Sequence, residues 1–509
     1  MKNNSSEQTD TLKSRTAKGL LWGFLNNGTM QLLNMVFGIV LARMLSRADY
    51  GLAGEVGIFS AVAAALQESG FISALTNRRN PTSDDYNSVF WFNVTVSAGI
   101  YAVLWFCAPL IVAYFHEPEL LWLSRYAFLG FFCASFSITP RAILFRQLKV
   151  KEQSIIGISA LLCSGGVGIV MALCGMSYWS LVTQGIVYVS VISVLSWKWS
   201  GFRPQLRFKL QPIREMFAFS CKLLITNVFN CINNSVFTLV FGTFYSKLEV
   251  GTYTQADKWN KMGSQLITGM VQGVSQPMFV QVGEEQERLQ RAFRKMLRFT
   301  SLISFPAMFG LAMVASEFIV VLVGSDWLAS AELMRMLCVA GAFMPITALY
   351  FNFLISRGRS DVYMWNILAQ GILVLGVLCL VHYGRWHVVV PPLSCFGAGT
   401  GPLVLEGVHL MVVSYVVIYI LWLFVWHYYL RREIKLSIKN VVCDMAPFAL
   451  TAAAAMCITY VLTRGISNLY LSLIVRMLMA AVLYVGGVWL AGAQILRESV
   501  AYITKKKRA

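Results

Sequence analysis

No GxxxxGK[ST], GxSxG or HExxH sequence occurs in this chain of 509 residues. That excludes a P-loop of its own, a hydrolase nucleophile elbow and a zincin metal site. The 11 cysteines lie mostly inside apolar runs and form no CxxC or Cys/His spacing. They read as small packing residues, not as a disulfide framework or a zinc cluster. The 5 histidines, His116, His382, His387, His409 and His427, are scattered near the ends of apolar runs. Nothing here requires covalent chemistry, so no enzyme activity, cofactor or metal is expected. Acidic residues are scarce, 24 against 42 Lys plus Arg, for a formal charge of +18. Such a balance can mark a nucleic-acid binder, but these charges fall in short clusters between apolar runs, not along a surface stripe. The opening stretch, Met1 to Lys18, is polar, with no apolar core or small-residue cleavage site. The first apolar run is therefore expected to be its own insertion signal.

What the chain has in abundance is apolar length. Hydrophobic residues make up 57% and mean hydropathy is +0.62, outside the range of a soluble core. A helix needs about 20 apolar residues to cross the hydrocarbon core. On that measure we expect about fourteen spans: 20–42, 50–76, 87–113, 119–142, 154–174, 177–199, 213–243, 250–281, 292–315, 328–356, 361–382, 404–429, 441–463 and 468–496. A barrel would alternate with period two, so the expected class is an all-α polytopic membrane protein. Basic clusters recur in every second connection, at Arg78–Arg79, Arg141 to Lys151, Lys198 to Arg214, Arg288 to Arg298, Arg357–Arg359 and Arg431 to Lys439. The intervening connections are poor in charge. By the positive-inside rule this places both termini in the cytoplasm. Gln281 to Arg298 reads as a short basic amphipathic cytoplasmic connection. Arg125, Glu332 and Arg335 read as anchors near span ends, and a pairing of Arg476 with Asp444 in the last two spans would be structural.

The chain also resembles itself at an offset of 200 residues. Ser46-Arg47-Ala48-Asp49-Tyr50-Gly51 corresponds to Ser246-Lys247-Leu248-Glu249-Val250-Gly251, Asn27 to Asn227 and Asn34 to Asn234. This predicts two parallel six-helix lobes, residues 1–200 and 201–430, followed by residues 431–509 with two further helices and a basic tail. Transporters of this kind place their site between repeats and alternate access.

Several spans carry polar faces. In the eighth, Thr254, Lys258, Lys261, Gln265, Gln272 and Gln276 fall within a sector of about 60°. A lysine at mid-membrane costs about 2.5–3.5 kcal/mol, so two on one face point to water or an anionic ligand beside them. Snorkelling to the outer surface is the competing reading, stronger for Lys258 than for Lys261. Asn27, Gln31 and Asn34 share one side of the first span. Lys222, Thr226, Asn230 and Asn233 share one side of the seventh, flanked by Asn227 and Asn234. These residues are candidates for a hydrophilic substrate cavity, or for polar contacts between helices. Glu55 and Glu68 lie in the second span. Such a carboxylate could carry a coupling proton or pair with a lysine.

Several stretches resemble the polysaccharide transporter family. They are Leu66-Gln67-Glu68-Ser69-Gly70-Phe71, Asn77-Arg78-Arg79, Asp85-Tyr86-Asn87-Ser88-Val89-Phe90-Trp91-Phe92-Asn93, Pro140-Arg141-Ala142-Ile143-Leu144 and Tyr178-Trp179-Ser180-Leu181-Val182. The family comprises O-antigen and capsule repeat-unit flippases within the multidrug/oligosaccharidyl-lipid/polysaccharide flippase superfamily. The resemblance covers residues 15–380 and implies a fourteen-helix transporter of the bacterial inner membrane. The implied cargo is an undecaprenyl-pyrophosphate-linked oligosaccharide, with Lys222, Lys258 and Lys261 matching cationic residues that meet the pyrophosphate or acidic sugars. A coupling proton or sodium ion, and a polymerase with chain-length machinery, are the further partners it implies; nucleic acid is not among them. His387 to Glu406 departs from the family pattern, where a shorter turn is usual, and reads as an outer loop. Two other functions compete: a drug/cation antiporter of the same superfamily, which would favour carboxylates over lysines in the site, and a polysaccharide polymerase, which would carry a large outer loop.

Overall fold

The computed structural model describes residues 28–67, 75, 81–147, 149–217, 231, 237–282, 285–384, 388–390, 403–405 and 407–490. Contacts along the chain divide it into two units, Met1–Gly251 and Thr252–Ala509. Among the described residues, nine helices are long and apolar enough to cross a membrane. Large apolar side chains on their outer faces stay uncovered, Phe106 at 79% and Leu450 at 70% exposed among them. In water such surface would be unstable; in lipid it is the expected outer face. The chain is a multi-pass helical membrane protein.

The first unit contains α1 (Gly28–Met44), α2 (Arg47–Gln67), α3 (Ser83–Phe115), α4 (Leu120–Ser135), α5 (Ile138–Arg146), α6 (Val150–Leu173) and α7 (Ser177–Ser200). Helical stretches 210–217 and 237–244 follow. The expected span 119–142 is two helices: α4 and α5 meet at a bend of 40°. Ser135 and Ser137 bond back to the carbonyls of Phe132 and Ala134, offering the chain local partners at the break. The core gathers Leu52 and Val56 of α2, Ile111 and Phe115 of α3, and Leu120, Leu123 and Phe128 of α4.

The residues of the Asp85-to-Asn93 stretch have structural tasks. Thr82 and Asp85 form a reciprocal capping box at the start of α3, at 3.3 and 2.8 Å. Asn87 Oδ1 accepts from the Gln205 backbone N–H at 2.8 Å, Ser88 Oγ from that of Lys209 at 3.0 Å, and Trp91 Nε1 donates to the Gln205 carbonyl at 2.8 Å. Phe90 lies among Phe136, Trp197 and Phe202. The stretch thus fastens the connection after α7 onto the end of α3.

The second unit contains α8 (Lys247–Val282, whose first residues belong to the first unit), α9 (Gln286–Met313), α10 (Ala315–Leu322), α11 (Leu328–Ser356), α12 (Ser360–Gly384), α13 (Gly407–Ile434), α14 (Ile438–Thr463) and α15 (Leu469–Leu490). The basic stretch around Arg288 to Arg298 is not a free connection. It is the first half of α9, which runs on into the apolar half without a break. Two short strands, β1 (Val388–Val390) and β2 (Leu403–Leu405), pair antiparallel. This ribbon of two three-residue strands leaves the all-α class in place, and the following helix begins at Gly407, after the expected residue 404.

Asp444 and Arg476 do not pair with each other. Asp444 accepts from Arg294 and Arg298 of α9, each at 2.6 Å. Arg476 pairs with Glu317 of α10, donates to Thr463 at 3.0 Å and lies over the Tyr460 ring. Facing charges satisfy one another across helices where water is scarce. The two C-terminal helices are thereby fixed to α9 and α10, with Met313, Val314, Met456 and Ala480 buried between them.

Candidate transport face

α8 begins with a cap formed by two residues of the 200-residue repeat, Ser246 and Glu249. The Ser246 backbone N–H and hydroxyl donate to Glu249 Oε2 at 3.0 and 3.1 Å. Its counterpart 200 residues earlier, Ser46, makes the same pair of bonds to Asp49 Oδ2 at 2.8 and 2.7 Å. The repeat is therefore visible as geometry at the start of α2 and α8.

α8 has 36 residues, a length of about 54 Å, which exceeds the roughly 30 Å of hydrocarbon. It is polar on two sides. One side is closed within its unit: Gln255, Trp259, Asn260, Ser264, Val271, Ser275 and Phe279 are all buried. Ser264 donates to the Met344 sulfur at 3.4 Å and Ser275 accepts from Asn352 at 3.1 Å. Asn260 approaches α11 so closely that a Cβ on Gly341 would overlap its Oδ1.

The other side is the one singled out in the sequence. Thr254, Lys258 and Lys261 are half-buried, and Gln265 and Gln272 are exposed. Lys261 pairs with Asp257 one turn back at 2.7 Å. That acidic partner was missed, although its i,i+4 spacing was available in the sequence. This face carries two ammonium groups, one carboxylate and a row of amides, so it can donate charge-assisted hydrogen bonds to an anionic or sugar-bearing group.

The remaining candidates fall in the first unit. Gln31 is half-buried and Asn34 exposed on α1. Glu55 is enclosed, at 1% exposure beside Phe115 and Gly242. Asn27, Glu68, Lys222, Asn230 and Asn234 lie outside the described residues.

A family model described as polysaccharide biosynthesis protein matches residues 40–332, more than half of the chain. The chain belongs to this family. It is similar to the lipopolysaccharide biosynthesis protein WzxC of Escherichia coli (strain K12), with 23% identity over 358 residues, 69% of this chain and 72% of that protein. It is also similar to the succinoglycan biosynthesis transport protein ExoT of Rhizobium meliloti (strain 1021), with 23% identity over 379 residues, 74% of this chain and 76% of that one. Among solved structures, the lipid II flippase MurJ in an inward closed conformation shares the fold. Its TM-score is 0.73 at 14% sequence identity, covering 94% of this chain and all of that one. The chain is a polysaccharide transporter family member on a fold shared with the lipid II flippase MurJ.

Proposed function

We propose that this protein is a flippase. It moves undecaprenyl-pyrophosphate-linked oligosaccharide repeat units across the bacterial inner membrane by alternating access, supplying lipopolysaccharide, capsule or exopolysaccharide synthesis. The observation that carries this reading is the cationic face of α8. In a chain of this family, Lys258 and Lys261 stand half-buried on the side of a membrane helix that also bears the exposed Gln265 and Gln272. A pyrophosphate entering the membrane loses its hydration, and lysine ammonium groups beside amides replace part of it. The sugar head would follow this face while the polyprenyl tail stays in lipid. Lobes 1–200 and 201–430, both termini in the cytoplasm and the full set of fourteen spans belong to the same proposal. Lys222, Asn27, Gln31, Asn34, Asn230 and Asn234 complete the proposed cavity, with Glu68 its second acidic candidate beside Glu55. Proton or sodium coupling and a downstream polymerase follow from the same reading.

The test is replacement of Lys258 and Lys261 by alanine, singly and together, in a strain that depends on this gene for surface polysaccharide. We expect surface polysaccharide to fall while membrane abundance of the protein holds. Normal polysaccharide in the double variant would remove the face from the mechanism.

A further inference from the structure

α3 and α4 pack against each other in the first unit, joined by residues 116–119. Their outer flank leaves Phe106 at 79% and Trp122 at 60% exposed, the surface a membrane helix turns to lipid. Arg125 stands on this flank, five residues after the first residue of α4 and so about 8 Å along the helix. That puts it close to the membrane boundary, the level at which indole rings settle.

The Arg125 guanidinium lies 4.7 Å from the centre of the Trp105 ring and 5.0 Å from that of Trp122. The two indoles stand at 79° to each other, so they form a corner and not a closed sandwich. Aromatic faces attract a cation but bring no charge to neutralise it. Among the described residues Arg125 makes no hydrogen bond or ion pair. Its Nε is enclosed without a partner, and its two terminal nitrogens stay uncovered. The nearest acids in sequence, Glu117 and Glu119, are both engaged by Lys247, at 3.0 and 3.2 Å. The Trp105 and Trp122 N–H groups bond to none of the described residues either. The corner therefore offers guanidinium and indole donors, held in place, with no carboxylate beside them.

We propose that this corner binds the phosphodiester of an anionic phospholipid. The missing counter-charge of Arg125 is then supplied by the lipid itself. One guanidinium matches the single negative charge of a phosphodiester, whereas a pyrophosphate carries more than one and suits the two lysines of α8. The terminal nitrogens donate to the non-bridging phosphate oxygens, and an indole N–H adds a further donor. The acyl chains lie along the exposed Phe106 and Leu110 of α3. Two rings fix the side chain before any lipid arrives, which distinguishes a preformed site from an arginine that merely snorkels to water. The anchor expected at Arg125 thus acquires a partner of stated chemistry. The inference rests on the first unit's geometry and not on the nature of the cargo.

The experiment is native mass spectrometry of the full-length protein in detergent, titrated with dioleoyl phosphatidylglycerol. Dioleoylglycerol, inorganic phosphate and undecaprenyl pyrophosphate form separate arms. The wild type should hold one phosphatidylglycerol more tightly than the rest, and Arg125→Gln should weaken that binding by about tenfold or more. Trp122→Ala removes an exposed ring that folding does not need, and should weaken it by a smaller factor. Arg464→Gln, an exposed arginine beyond α14, should bind as the wild type does. So should the Lys258→Ala, Lys261→Ala double variant. Unchanged phosphatidylglycerol binding in Arg125→Gln and Trp122→Ala would overturn the proposal, as would an equal loss in Arg464→Gln. Dioleoylglycerol held as tightly as phosphatidylglycerol would reduce the site to an apolar groove, and displacement of the lipid by inorganic phosphate would make it a free-anion site; either overturns it. An Arg125-dependent loss seen with undecaprenyl pyrophosphate and not with phosphatidylglycerol would give the corner to the cargo and overturn it too. Failure here leaves the lysine face of α8 untouched, and failure of that face leaves this site standing.

Discussion

α2 and α8 start alike and then diverge. Both open with a serine bonded to an acidic residue three positions on, and both place a glycine where the other helix's first turn approaches. Beyond that point the α2 side bears one buried carboxyl, Glu55, whereas α8 bears two polar sides, one closed and one open. The shared part is architecture, fixed by backbone contact that tolerates no side chain. The divergent part is where one repeat acquired lysines and amides along a transmembrane helix. A repeat that keeps its junction and changes the helix below it has separated assembly from cargo contact.

That separation orders the expected effects of substitution. The largest belongs to the assembly side, at Asp444. Removing its carboxylate in Asp444→Ala leaves Arg294 and Arg298, one turn apart on α9, without the acid on α14 that holds them both. Breaking a fully buried pair costs about 3–5 kcal/mol. The arginine side chains are 33% and 38% exposed, which puts this loss near the lower end of that range. It should appear as a lower Tm in detergent and reduced membrane abundance. Next are the junction glycines. Gly51→Ala or Gly251→Ala places a methyl group against a backbone carbonyl that cannot turn aside, for a loss of about 1–3 kcal/mol, read by the same thermal assay. Gly341→Ala presses on Asn260 instead. That neighbour is a side chain but a fully buried one, so we expect a loss in the lower half of the same range.

On the cargo side the order of readouts reverses. Lys258→Ala with Lys261→Ala should slow transport by about tenfold or more, since charge-assisted hydrogen bonds contribute about 1.5–3 kcal/mol each. Stability should move by less than about 1 kcal/mol, the scale of a partly exposed pair such as Lys261 with Asp257. Gln265→Ala and Gln272→Ala should have the smallest effect on folding, because both side chains are exposed. A double lysine variant that unfolds while transporting normally would invert the comparison between the two helices.

Much of the framework could be read in the sequence because membranes impose simple rules. Length and apolarity located α3, α6, α7, α11, α12 and α14 close to their observed limits, and the starts of α2 and α8 were visible as a repeat. The 60° face of α8 was legible because helical periodicity needs only spacing. Pairings between distant helices were not legible. Nothing local tells Asp444 to meet α9 rather than its neighbour Arg476, since such choices are set by which helices pack together. The bend between α4 and α5 was hidden in an apolar run that continues across it. The closed polar side of α8 was missed for a related reason: Asn260, Ser264 and Ser275 are polar residues serving as core, visible only once α11 lies against them. Glu55 was recognised as unusual, but its enclosure by Phe115, Gly242 and Lys247 required the fold.

The central claim, that the chain carries a lipid-linked oligosaccharide from one leaflet to the other, is tested most directly by leaflet-resolved mass analysis of polyprenyl-linked repeat units in a deletion strain. The account predicts complete units accumulating on the cytoplasmic leaflet, with the mass of the trapped species naming the sugars, and release of the block on complementation. Complete but unpolymerised units on the outer leaflet, or an unchanged lipid-linked pool, would contradict it.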